Sequence, residues 1–139
     1  SNGAGMALQI ACHLNDQIAG FAVMSGNFPL ESNYPCDITH ETPGLIFNGT
    51  ADGLRPMEGI ADYALPVVTG AEWWAAENNS IFNETQVTGN VERTTWRSAA
   101  GTELQLFVVQ GGGHDWFNFP IDGMPTDSFI WNFLSQYSS

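Results

Sequence analysis

Between Gly3 and Leu14, the apolar residues Met6, Ala7, Ile10, Ala11 and Leu14 recur at spacings of three and four, which predicts a helix with these residues on its buried face. Residues 18–24 form a continuous apolar run closed by Ser25-Gly26, the pattern of a strand covered on both faces of a parallel sheet. Leu45-Ile46-Phe47, opened by Pro43-Gly44 and closed by Asn48-Gly49, reads as a second such strand, and residues 104–109, ending in Gly111-Gly112-Gly113, as a third. Between these two, Val67, Val68, Ala71, Trp74 and Ala75 fit one helical face, with Pro66 at the entrance and Asn78-Asn79 at the exit. Residues 91–97 alternate like a strand, and Ala100-Gly101 folds them back on the third strand as a hairpin. A last helix is capped by Asp127 or Ser128 and buries Phe129, Ile130, Phe133 and Leu134. Helices alternating with buried strands predict an α/β fold: a mostly parallel sheet with flanking helices, in one domain over residues 1–139.

Charge narrows the function. Fifteen Asp and Glu stand against three Arg and no Lys, a net charge of −12. That excludes nucleic-acid binding through clustered cations. No apolar run approaches the ~20 residues of a membrane span, so no membrane partner is expected. Cys12 and Cys36 allow one disulfide or remain two buried thiols. Sequons at Asn48, Asn78 and Asn83, with the absence of Lys, lean toward a secreted, extracellular protein.

In open α/β sheets, ligands bind beyond the carboxyl ends of the strands. The second strand there runs into Asn48-Gly49-Thr50-Ala51-Asp52, and the third into Gly112-Gly113-His114-Asp115-Trp116. A carboxylate and an imidazole therefore share one rim of the sheet. Ser1 heads the first helix, followed by Asn2-Gly3, so the chain order is serine, acid, histidine. In an α/β-hydrolase triad that order places the serine on a strand-to-helix turn of the form G-x-S-x-G, of which Ser1-Asn2-Gly3 is the latter part. The reading assigns Ser1 as nucleophile, His114 as base, Asp52 as the residue orienting the imidazole, and the Asn2 backbone N–H as one oxyanion donor. It also expects an upstream strand and a further donor before Ser1, so that the chain is the truncated remainder of a larger fold lacking its N-terminal strands.

Ser1-Asn2-Gly3-Ala4-Gly5-Met6-Ala7, Gly49-Thr50-Ala51-Asp52 and Gly111-Gly112-Gly113-His114-Asp115-Trp116 together resemble the secreted polyhydroxybutyrate depolymerase and feruloyl esterase family of α/β hydrolases. The resemblance extends to Ile10-Ala11-Cys12 and to Ile130-Trp131-Asn132-Phe133, and covers the C-terminal half of that family's domain. It implies cofactor-free hydrolysis of carboxylic esters in a polyester or a feruloylated or acetylated plant polysaccharide. Asn48 departs from it, standing where the family usually reads His, and residues 53–59 match the family's Val-Pro-Tyr-x-Gly stretch only loosely.

Other residues read as structural. His13 and His40 are solvated or capping, and no His, Cys, Asp or Glu spacing suggests a metal. The three glycines at 111–113 lack the Lys-Ser/Thr of a phosphate loop. Trp73, Trp74, Trp96 and Trp131 are read as structural, whereas Trp116, two places after His114, is the expected wall of a substrate pocket. Two other readings remain open: an inactive fragment, and an N-terminal-nucleophile hydrolase in which the free amine of Ser1 is its own base.

Overall fold

The computed structural model describes residues 1–30 and 36–138. Helix α1 (Asn2–His13) leads through a single 3-10 turn to strand β1 (Phe21–Met24). Strand β2 (Gly44–Gly49), helix α2 (Val67–Glu77), strands β3 (Ser80–Thr88), β4 (Val91–Ser98) and β5 (Glu103–Val109), and helix α3 (Thr126–Leu134) follow. The strands form one sheet in the order β1-β2-β5-β4-β3. β1 pairs with β2 and β2 with β5 in parallel, whereas β5–β4 and β4–β3 are antiparallel. The fold is α/β, but the sheet is mixed rather than mostly parallel, because β3, which the apolar pattern does not predict, adds a second antiparallel pairing.

The period-2 alternation of each strand sorts the core into two layers. Phe21, Val23, Ile46, Leu104, Leu106 and Val108 face α1 and α2, and meet Leu8, Ala11, Ala71 and Trp74 there. Met24, Leu45, Phe47, Phe107 and Val109 face the other way, onto Phe117, Phe129 and Phe133 of the α3 side. Every residue of β2 is buried, which explains its unbroken apolar run. Phe47 stacks on Phe107 across the β2–β5 register, ring centroids 4.6 Å apart, and Trp74 is fully enclosed. Each such side chain contributes roughly 2–3 kcal/mol of burial.

The helices start and face differently from the pattern. In α1 the buried residues are Ala4, Leu8, Ala11 and Cys12, while Met6 is 63% exposed and Ile10 and Leu14 also reach solvent. Two features turn that face inward. A methyl group at Gly26 would press on the Ala4 side chain, so the helix approaches closely there, and Cys12 is bonded to Cys36 with Cα atoms 5.3 Å apart. The two thiols left open by the sequence are therefore one disulfide, a cross-link of a kind that contributes roughly 2–4 kcal/mol. In α2, Gly70 is buried and Val68 exposed. In α3 the helix opens at Thr126 after Pro125 instead of being capped by Asp127 or Ser128. The Thr126 hydroxyl is buried, donating to the Phe119 carbonyl at 2.6 Å and accepting from its N–H at 2.8 Å.

The connection into β2 is fixed by polar side chains. Asn78 accepts from the Thr42 N–H and donates to its carbonyl, both at 2.8 Å, and the Trp74 indole donates to the same carbonyl at 3.0 Å. Asn15 accepts from the Thr39 and His40 N–H groups at 3.0 Å. These amides satisfy backbone groups that would otherwise be buried without partners. His13 and His40 are both exposed.

Candidate active site

β2 and β5 are adjacent and parallel, so the residues that follow each of them emerge side by side. The two loops are laced together at their roots. The Thr50 N–H donates to the Val109 carbonyl at 3.0 Å, the Ala51 N–H to the Gly112 carbonyl at 2.8 Å, and the Gly111 N–H to the Thr50 hydroxyl at 2.8 Å. A methyl group at Gly49 would overlap the Gly112 carbonyl, so only glycine permits this approach.

This lacing delivers Asp52 to His114. Asp52 Oδ2 lies 2.9 Å from His114 Nδ1, with the carboxylate side chain fully enclosed and the imidazole about one-quarter exposed. The other oxygen, Oδ1, accepts from the backbone N–H groups of Leu54 at 2.9 Å and Arg55 at 2.8 Å. Burial alone raises the Asp52 pKa, but the bonds from Arg55, His114 and Leu54 outweigh it and hold the carboxyl below its ordinary value. An ionised carboxylate on Nδ1 fixes the tautomer whose Nε2 is free to accept a proton. Asp52 therefore bonds His114 as well as the backbone N–H groups of its own turn.

The loop carrying His114 is also tied to the end of β1. Ser25, with φ of 56°, donates its hydroxyl to the Asp115 carbonyl at 2.7 Å, and the Phe117 N–H lies 3.2 Å from the Met24 sulfur. Asn48 is fully buried and donates to the Gly26 carbonyl at 3.0 Å, so it joins β2 to the same turn. Sequence reasoning missed the part played by Ser25. Its only signal was its position directly after a buried strand, where an L-residue is seldom held at positive φ.

Ser1 stands at the N-cap position of α1, its side chain making no capping hydrogen bond, and is exposed. It lines a cavity of about 230 Å³ together with Met24, Ser25, His114, Asp115 and Trp116. Trp116 is 72% exposed and is part of this lining. No hydrogen bond joins Ser1 to His114 among the described residues, so the structure brings acid and base into contact and the serine into the same cavity. Asn2 begins α1, where the first backbone N–H groups have no partner within the helix, and with Ser1 it lines a second cavity of about 290 Å³. Among the described residues, no group of three or more His, Cys, Asp or Glu side chains is placed to hold a metal, and no helix is long and apolar enough to cross a membrane.

Three groups therefore stand near one another: an imidazole held by a carboxylate and able to take up a proton, a hydroxyl lining the same cavity, and a helix N-terminus whose N–H groups can donate to an oxygen. Compared with protein-family models and with curated proteins, the chain matches none.

Proposed function

We propose that the protein is a serine carboxylic-ester hydrolase of the α/β-hydrolase type, similar to polyester depolymerases and feruloyl or acetyl-xylan esterases, with Ser1, His114 and Asp52 as its triad. The observation that carries this reading is the 2.9 Å contact between the enclosed Asp52 carboxylate and His114 Nδ1, at the end of a cavity that Ser1 also lines. Ion pairs on a protein surface rarely enclose one partner completely, and a buried acid on an accessible imidazole suits a base that must bear charge transiently.

In the proposed reaction, Ser1 Oγ attacks the ester carbonyl carbon while His114 Nε2 takes its proton. Negative charge develops on the carbonyl oxygen, where the Asn2 N–H at the helix start donates to it. His114 then returns the proton to the departing alkoxide, which leaves as an alcohol. Water, activated by the same imidazole, releases the acid and restores Ser1. The Asp52 carboxylate stays ionised throughout and stabilises the imidazolium. The substrate is an ester in a polymer, with no cofactor required. The disulfide supports an extracellular location, since such bonds persist in oxidising compartments.

Labelling with a fluorophosphonate, followed by peptide mass analysis, tests this directly. The adduct is expected on Ser1 and is expected to vanish in Ser1→Ala and fall sharply in His114→Ala. Labelling elsewhere, or ester hydrolysis that survives Ser1→Ala, overturns the proposal.

A further inference from the structure

The chain has three arginines among fifteen acidic residues, and two of them are paired. Arg93 meets Asp122 at 2.9 Å and Arg97 meets Glu103 at 2.7 Å. Arg55 makes no ion pair among the described residues. Its guanidinium carbon lies 5.6 Å from the centre of the Tyr63 ring, and one nitrogen reaches the Leu54 carbonyl only at 3.4 Å. With such a surplus of carboxylates, an unpaired cation is the exception.

Its place gives the exception a meaning. Arg55 lines the cavity of about 290 Å³ with Ser1, Asn2, Asn27 and Tyr63, and among the described residues it is the one charged side chain in that lining. Ser1 is the residue this cavity shares with the one containing His114 and Trp116. In the proposed reaction, His114 hands its proton to the leaving oxygen, so the alcohol departs on the His114 side. The acyl group then lies on the opposite side of Ser1, in the Arg55 cavity. An arginine laid against an aromatic ring keeps its in-plane N–H groups for a planar anion, and carboxylate fits them two at a time.

We infer that Arg55, steadied by Tyr63, binds a carboxylate at the far end of the substrate's acyl group, so that the preferred substrates are half-esters of dicarboxylic acids whose alcohol part is the polymer. This rests on the esterase reading above. A chain of −12 repels anions at long range, and among the described residues that line this cavity the one charged side chain is the cation of Arg55. The Arg55 backbone N–H holds Asp52, and that bond survives replacement of the side chain.

The test compares kcat/KM for p-nitrophenyl hydrogen adipate with that for p-nitrophenyl hexanoate, which share a leaving group and an acyl length, using the protein as it is naturally produced. Taking the ratio on one preparation cancels any loss of folded enzyme. The ratio is expected to favour the adipate, to fall about tenfold in Arg55→Gln, and to recover in part in Arg55→Lys, which restores charge but not the planar fork. Raising salt should lower the ratio in the parent protein and leave it flat in Arg55→Gln. An unchanged ratio in Arg55→Gln overturns the inference while the esterase reading stands. The same follows if Arg55→Gln instead discriminates against 4-carboxyphenyl hexanoate, whose carboxylate lies on the leaving side. If the parent protein turns over none of these esters, the esterase reading falls, and the inference with it.

Discussion

The parallel half of the sheet and the β3–β4 hairpin share one set of backbone ladders, yet they are different materials. All six residues of β2 are buried, whereas eight of the nine in β3 are exposed. Helices cover β1, β2 and β5 on both faces, and no residue of β3 enters either core cluster. Burial on two faces fixes a strand's end in space, and the residues that follow it inherit that precision. Asp52 and His114 emerge from such ends, while the hairpin turn at Gly89-Asn90 opens into solvent. The proposed triad thus draws its acid and base from the ends of the buried strands, where packing on both faces restrains the backbone.

The largest effect expected from breaking the contrast is catalytic. Asp52→Asn keeps the shape of the side chain, but its amide cannot both accept from Leu54 and Arg55 and accept from His114 Nδ1 as an anion. Turnover of a neutral p-nitrophenyl ester should fall by about 10⁴, and no substitution in β3 should approach that. The same change alters the acid limb of stability. Because the folded Asp52 pKa is lowered, its contribution is complete above the ordinary carboxylate value of about 3.9 and is lost as pH falls through the folded value. The stability gap between parent and Asp52→Asn, followed by urea titration at descending pH, should therefore narrow in acid.

Core truncation comes next. Trp74→Ala removes a fully enclosed ring that packs on Phe21 and Phe28 at centroid distances of 5.0 and 5.7 Å, and should cost about 3–5 kcal/mol in denaturant unfolding. Gly49→Ala is subtler. Its methyl overlaps the Gly112 carbonyl, so the two loops must part, and a loss of about 1–3 kcal/mol should come with a lower kcat. If Gly49→Ala changes stability while kcat is retained, the lacing of the loops is structural and not what positions His114.

How much of this was legible follows from the same contrast. β1, β2 and β5 announce themselves because burial on both faces demands largely apolar runs such as Leu45-Ile46-Phe47, with only Gln105 interrupting residues 104–109 of β5. β3 does not, since Ile81, Phe82 and Val87 follow no period when neither face is covered. Its signal lay in the turn: Gly89, at φ 59°, followed by Asn90 is a two-residue hairpin connection. In α1, Met6, Ile10 and Leu14 outweigh Ala4 and Ala11 in hydrophobicity, and only the Gly26 contact and the disulfide reveal which stripe turns inward. Asp52 and His114 were readable because a strand end is a local feature. The fit of Gly49 to Gly112 and the hydroxyl of Ser25 depend on residues far apart in sequence, and no local pattern encodes them.

The smallest expected effect sharpens the contrast through the three sequons. Asn48 and Asn78 belong to the buried half, and their amide nitrogens donate to the Gly26 and Thr42 carbonyls, so a glycan on either would take a donor from the core. Asn83 lies exposed on β3, with its neighbour Thr85 paired to Thr94 across the strands at 3.0 Å. When the protein is secreted from a host that glycosylates asparagine, a sugar should be found on Asn83 alone, as a mass shift removed by an endoglycosidase and absent from Asn83→Gln. Folded-state stability should change by no more than about 0.5 kcal/mol, because an exposed edge position has little packing to lose. A glycan on Asn78 in folded protein would contradict the buried network around Thr42, and with it the view that the hairpin alone is free to carry such an addition.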